Sequence, residues 1–136
     1  MDIQIPLVPV TDLNDFETES YKEFEKGYYL TKAQMVWYRK YFTNDNKENW
    51  IKYSPYHEDR QVLKKLSKTH IVSAECDVLN NDGKKYYQLL KDLGVDASFE
   101  VAKGQLHIFP AAPYMWKGAQ REMLKISEVF NSTFYK

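Results

Sequence analysis

Two side chains in the second half of the sequence have the types and the spacing of an acid–base pair. Asp77 follows the apolar segment 69–74, and His107 lies 30 residues further on, after the next alternating apolar segment. An aspartate that holds a histidine in one tautomer and stabilises its imidazolium makes up two thirds of an acyl-transfer triad. Spacing alone leaves open that Asp77 is a loop aspartate and His107 a solvated loop histidine.

No nucleophile accompanies this pair in the sequence. There is no G-x-S-x-G, and none of the serines has the flanking glycines of a nucleophile elbow. The five glycines are scattered, so no glycine-rich phosphate loop is present either. The residues therefore provide an acid and a base without an attacking group.

The other chemically active residues have simpler explanations. His57 lies in a polar linker and is expected at the surface, whereas His70 begins a strand and is expected to be an ordinary strand residue. No HxH, HExxH or Cys/His spacing occurs, so neither a metal site nor a cofactor is predicted. A carboxylate next to Cys76 raises a thiol pKa rather than lowering it, so we expect a buried structural cysteine and not a redox centre.

The composition is typical of one globular domain. The chain has 136 residues, of which 43% are hydrophobic, and its single cysteine excludes an internal disulfide framework. Lys+Arg and Asp+Glu are both 19, and a net charge of zero disfavours nucleic acid as a partner. No basic leader and no run of about 18 apolar residues occurs, so no membrane span is predicted and the cytoplasm is the default compartment.

Strands and helices are predicted to alternate along the chain. Apolar segments 3–10, 69–74 and 95–101 are predicted strands, although Pro6 and Pro9 each remove a backbone donor from the first. Thr31 is predicted to cap a helix with Gln34, and apolar stripes predict helices near residues 86–93 and 119–130. Segments 11–27 and 104–110 are predicted to be connections. This alternation indicates an α/β fold with a parallel sheet.

These motifs together resemble the hormone-sensitive-lipase-type α/β-hydrolases, which are carboxylesterases and lipases. The resemblance covers almost the whole chain and rests on segments 9–13, 19–21, 27–31, 75–83, 89–95 and 104–109. It implies that Asp77 orients a catalytic His107. The sequence departs from the family at Val78, where proline is frequent, and at Ile108, where glycine is usual and a β-branched side chain would crowd the histidine loop.

The resemblance also implies a fold and an activity. The expected fold is a partial α/β-hydrolase: the last three parallel strands, their crossover helices and part of the helical cap. The chain is expected to be one domain, 1–136, with a cap-like helical insertion at 12–60. The family's serine and oxyanion loop precede the matched region, so we expect the Asp–His part of a serine carboxylesterase that is inactive alone. Weaker substrate contacts are expected from Trp37, Tyr38, Ile108 and Phe109.

The first predicted strand would leave an open sheet edge. Unpaired backbone groups at such an edge promote association, so we expect a homo-oligomer or pairing with a separate chain that carries the N-terminal half. If such a chain complements this one, the expected substrate is a small acyl ester. Pro6 and Pro9 leave open that this edge is blunted and the chain stays monomeric. The alternative function is a non-catalytic remnant that persists as an oligomeric or ligand-binding module.

Overall fold

The computed structural model describes residues 2–135, which form a three-stranded sheet with helices on both faces. The strands are β1 (Ile3–Gln4), β2 (Lys68–Cys76) and β3 (Ala97–Leu106). The sheet order is β1-β2-β3 and both pairs are parallel, which confirms the predicted α/β class. The carboxyl ends of β2 and β3 therefore meet at one edge of the sheet.

Six α-helices and two short 3-10 turns complete the described residues. The helices are α1 (Glu19–Glu23), α2 (Lys32–Phe42), α3 (Lys47–Lys52), α4 (Arg60–Leu63), α5 (Asn80–Asp92) and α6 (Lys117–Phe134). The 3-10 turns are Pro55–His57 and Phe109–Ala111. None of the helices between residues 2 and 135 is long and apolar enough to cross a membrane.

Helices α5 and α6 cover opposite faces of β2 and β3. Alternate residues of β2 point to opposite faces, so Ile71 packs in the α5 cluster and Val72 in the α6 cluster. This double burial explains why residues 69–74 of β2 are all buried rather than alternately buried and exposed. Gly83 marks the closest approach of α5 to β2, since a Cβ at that position would overlap the Ser73 hydroxyl.

The cap comprises α1 to α3 and sits on the turn that follows β2. Its apolar core joins this turn through the fully buried side chains of Val78 and Leu79. The predicted capping box of α2 is confirmed, because Gln34 N–H donates to Thr31 Oγ1 at 3.1 Å and Thr31 N–H donates to Gln34 Oε1 at 2.8 Å. The cap is therefore anchored at the carboxyl edge of the sheet.

Arg39 connects α2 to the rest of the cap. The Arg39 guanidinium lies 4.4 Å from the ring centre of Phe16 and 3.8 Å from that of Trp50. One of its nitrogens donates to the Leu13 carbonyl at 3.0 Å. These contacts desolvate the guanidinium and lower its pKa. Cation–π packing of this kind holds the inner side of α2 and leaves its outer side free.

The first strand is shorter than the predicted segment 3–10. Regular pairing stops at Gln4, and only an isolated bridge between Leu7 and Val72 follows. Val8 has a φ of 44°, a left-handed conformation that is costly for a β-branched residue and takes the chain out of the extended region. Pro6 and Pro9 flank this position and cannot donate to a ladder.

The third strand is longer than predicted and the cap contains more helix. β3 continues through Gly104 to Leu106, so the loop predicted at 104–110 begins only at His107. Gly104 has a φ of 68°, and the β2–β3 register shifts between Ala74 and Cys76. A local irregularity of this type bends a strand without ending it. Helix α1 lies in the predicted connection 11–27, and α3 is a helix for which no prediction was made.

Candidate active site

The acid of the predicted pair lies in a tight turn between β2 and α5. Asp77 is the first residue after β2 and is only 1% exposed. Its Oδ1 accepts the Leu79 N–H at 3.1 Å, and its carbonyl oxygen accepts the Asn80 N–H at 3.1 Å. The carboxylate is therefore fixed by the backbone of its own turn, which leaves Oδ2 for a second partner.

The second partner is the base of the predicted pair. His107 follows β3 directly, and its Nδ1 lies 2.8 Å from Asp77 Oδ2. The two residues are 30 positions apart in sequence and meet because β2 and β3 are parallel neighbours that end at the same edge. The histidine side chain is 26% exposed, so part of the ring is accessible from outside.

The hydrogen bond assigns different roles to the two ring nitrogens. A buried carboxylate accepts, so Nδ1 carries the proton that it donates to Asp77. Within residues 2–135 no hydrogen bond engages Nε2 of His107. This nitrogen is left with its lone pair for proton transfer, which is the arrangement that general base catalysis requires.

An apolar recess of about 440 Å³ opens beside this pair. His107 and Leu79 line it from the sheet edge, and Trp37 and Tyr38 line it from α2. Leu13, Leu30, Met35, Tyr41 and Phe42 also contribute. Trp37 is 55% and Tyr38 48% exposed, so the aromatic side of α2 forms an open wall rather than packing into the core.

The recess does not include the two residues that follow the histidine. Phe109 is fully buried and packs in the cluster beneath α6. Ile108 is half-buried and precedes the 3-10 turn Phe109–Ala111, and neither residue is part of the lining. Leu79, Tyr41 and Phe42 were not among the predicted substrate contacts. A helix with aromatic residues at positions 37, 38, 41 and 42 was the available signal.

A second aspartate–histidine contact lies at the base of the cap. His57 Nε2 is 2.9 Å from Asp12 Oδ1, and the histidine is a quarter exposed rather than fully solvated. Lys85 lies 3.8 Å from Asp12 Oδ2 and 2.9 Å from Asp15 Oδ2. Asp12, which precedes α1, is thereby joined to the Pro55–His57 turn and to α5.

The remaining histidine and the cysteine lie in the sheet. His70 is buried with Nδ1 2.8 Å from Ser98 Oγ, and burial lowers its pKa. Cys76 is half-buried; desolvation first, and then the charge of Glu75, raise the pKa of its thiol. In the described part of the chain, no three His, Cys, Asp or Glu side chains are grouped to hold a metal ion.

The parallel three-stranded sheet with its helices is a partial α/β-hydrolase fold. The chain belongs to the alpha/beta hydrolase fold family, whose sequence pattern matches residues 1–111. Carboxyl esterase 2 of Tuber melanosporum superposes with a TM-score of 0.87 and 27% identity over 98% of this chain and 45% of its own. A thermostable esterase of Pseudomonas putida gives 0.80 and 32% identity over 89% of this chain and 39% of its own.

Curated relatives are similar to the same region. The vegetative-specific protein H5 of Dictyostelium discoideum is 36% identical over 91 residues, 66% of this chain and 27% of that protein. A putative alpha/beta hydrolase, R526, of Acanthamoeba polyphaga mimivirus is 34% identical over 107 residues, 78% of this chain and 31% of its own length. The chain thus spans about a third or less of the curated relatives it matches, and contains part of the hydrolase fold.

Proposed function

We propose that this chain supplies the acid and the base of a Ser-His-Asp triad in a serine carboxylesterase or lipase-like hydrolase. One observation carries the proposal: a buried Asp77 bonded to His107 at 2.8 Å, with the histidine lining an apolar recess. The hydrolase family of the chain and its similarity to esterase structures support the same class.

The geometry suits ester hydrolysis by general acid–base catalysis. Nε2 of His107 accepts the proton of a serine hydroxyl as its oxygen attacks the ester carbonyl, and the carbonyl carbon becomes tetrahedral. The imidazolium that forms is stabilised by Asp77, and its proton then passes to the leaving alcohol oxygen. Water deacylates the serine with the same histidine as base. Trp37 and Tyr38 would shelter the apolar part of the ester.

This proposal needs a serine and oxyanion donors in addition to the residues of this chain. No serine oxygen of residues 2–135 is hydrogen-bonded to His107, and the sequence has no nucleophile elbow. Without an attacking atom the histidine has nothing to deprotonate, and triad members act as a unit. We therefore expect residues 1–136 by themselves to be inactive, and activity to require the nucleophile part of the fold.

Hydrolysis of p-nitrophenyl esters tests this proposal. The chain alone, assayed with short and long acyl esters, is expected to give no turnover above that of buffer. Co-expression with a G-x-S-x-G half from a related esterase is expected to restore turnover. Turnover by the chain alone that His107→Ala abolishes would show that it contains its own nucleophile and would contradict the proposal.

The open aromatic recess also supports the second candidate function. About 440 Å³ of mainly apolar space could bind a small apolar ligand without any chemistry. Titration of an apolar fluorescent probe separates the two functions. Binding to the pure chain, weakened by Trp37→Ala and unaffected by Tyr114→Ala, together with no activity after complementation, would favour the ligand-binding module.

A further inference from the structure

One residue of the cap holds the turn that carries Asp77. Ser20 lies in α1 and is 4% exposed. Its hydroxyl donates to the Val78 carbonyl oxygen at 2.6 Å, and its N–H donates to Asn81 Oδ1 at 2.7 Å. The Asn81 N–H donates back to Ser20 Oγ at 3.2 Å. Three hydrogen bonds thus join the cap to Val78 and Asn81, which both follow Asp77 in the chain.

The Val78 carbonyl is one half of a peptide group whose other half contacts Asp77. The Leu79 N–H belongs to the same peptide and donates to Asp77 Oδ1 at 3.1 Å. A peptide group is planar, so a bond that fixes the direction of the carbonyl also fixes the N–H. An unbroken series of hydrogen bonds therefore runs from Ser20 through this peptide to Asp77 and then to His107.

We infer that Ser20 is a positioning residue for the Asp77–His107 pair and acts through the Val78–Leu79 peptide. The inference rests on the proposed function. Ser20 has no contact with the histidine or the recess. Without its hydroxyl, the buried Val78 carbonyl loses its partner and the peptide can rotate. The hydrogen bond from the Leu79 N–H to Asp77 then weakens. The hydrogen bond between Asp77 and His107 weakens with it, because hydrogen bonds in a series polarise one another.

The chain contains a matched control for this substitution. Ser54 is 3% exposed and also anchors the cap. Its Oγ accepts the Leu13 N–H at 2.7 Å and donates to the Trp50 carbonyl. None of these groups belongs to the Asp77 turn. Ser54→Ala therefore removes an equally buried anchoring hydroxyl and leaves the series to His107 complete.

The experiment measures the tautomer of His107 by 15N NMR of its ring nitrogens in the full chain. Ser20→Ala is expected to lower the ratio of the Nδ1–H to the Nε2–H tautomer about fivefold, the worth of one hydrogen bond. Ser54→Ala is expected to leave the tautomer ratio unchanged. Ser20→Thr keeps the hydroxyl and is expected to keep the parent ratio. Amide spectra establish that each variant is folded. If Ser20→Ala does not fold, Ser20→Cys keeps the volume with a weaker donor and is expected to give a smaller fall.

An Asp77→Ala background shows whether the effect passes through the aspartate. In that background Ser20→Ala is expected to cause no further change in the tautomer ratio. The inference is overturned if Ser20→Ala leaves the ratio as in the parent chain, if Ser54→Ala lowers it equally, or if the effect survives without Asp77. A ratio unchanged by Asp77→Ala alone would instead contradict the catalytic pair and hence the proposed function.

Discussion

At the scale of single residues, the chemistry depends on one hydrogen bond between strand ends. Asp77 is held by its own turn and presents Oδ2 to His107 at 2.8 Å. Asn in place of the aspartate would keep the volume, but its amide nitrogen could present a donor to Nδ1 and favour the wrong tautomer. The effect of such a change is therefore on orientation and charge rather than on packing.

For Asp77→Asn in the complemented enzyme, we expect kcat to fall by about 10⁴-fold, with little change in KM, as for triads in general. Steady-state hydrolysis of a p-nitrophenyl ester measures this. Asp92→Asn, an exposed position at the end of α5, is the control and should retain full activity. A loss of less than tenfold for Asp77→Asn would mean that the aspartate is not part of the reaction.

The cysteine next to this aspartate gives a second prediction. Desolvation and the charge of Glu75 raise the pKa of Cys76, so its thiolate fraction at neutral pH is small. We expect its reaction with a disulfide reagent at pH 7 to be several-fold slower in the folded chain than in urea. Equal rates in the two states would show that the thiol is accessible and unperturbed, contrary to a structural role.

At the scale of elements, a buried carboxylate joins the segment before α1 to α5. Asp82 lies in the first turn of α5, is 2% exposed, and its Oδ2 accepts the N–H groups of Thr11 and Asp12 at 3.1 and 3.2 Å. Burial raises the pKa of Asp82 to about 7, although the two hydrogen bonds lower it. The negative charge of Asp12 raises it further. The folded chain therefore binds this proton more tightly than the unfolded chain does.

This difference predicts a pH dependence of stability. Protonated Asp82 contributes its full stabilisation below about pH 4, the pKa of an aspartate in the unfolded chain. This contribution to the free energy of unfolding, up to about 4 kcal/mol, is lost as the pH rises through about 7. Asp82→Asn still accepts both N–H groups and has no charge to bury, so its urea midpoint should change less over this range. Asp92→Asn on the same helix should follow the parent chain. Parallel curves for Asp82→Asn and the parent chain would refute the prediction.

The elements that sequence could predict are those whose local signal agrees with their packing. The stripe at 86–93 and the Thr31–Gln34 box are confirmed because local propensity and burial favour the same helix. The β1 length was wrong because the alternation of 3–10 continues past Gln4, while the left-handed Val8 ends the strand. Helix α1 has five residues, too few for a periodic pattern, and it forms through Ser20 contacts that are distant in sequence.

The two parts of the candidate site, the Asp77–His107 pair and the recess, were not equally predictable from the sequence. Parallel strands end at one edge, so the sequence order alone brings Asp77 and His107 near each other. The recess depends on which side of α2 faces outward, and this is decided by Arg39 packing between Phe16 and Trp50. Such tertiary contacts leave no periodic signal, so the sequence could not show which residues of α2 line the recess.

At the scale of the whole molecule, two exposed features favour association. The outer side of β1 pairs with no other strand among residues 2–135, although β1 itself spans only Ile3–Gln4. The aromatic side of α2 is the other feature, with Tyr41 62% and Phe42 68% exposed. A zero net charge provides little repulsion between copies. Association could thus use the sheet edge, as the sequence predicts, or the recess wall.

We expect the pure chain at micromolar concentration to sediment with a mass above 16.2 kDa that rises with concentration. Hydrogen exchange at two concentrations locates the contact, because backbone groups that pair across an edge become protected. Slower exchange of amides 3–10 at the higher concentration supports pairing through β1, whereas slower exchange confined to α2 places the contact at the recess. If the contact is at β1, Phe42→Ala should leave the sedimenting mass unchanged. If the contact is at the recess, Phe42→Ala should lower the mass, whereas Tyr114→Ala, the exposed-aromatic control, should not. A cooperatively folding monomer at every concentration would contradict association by either surface.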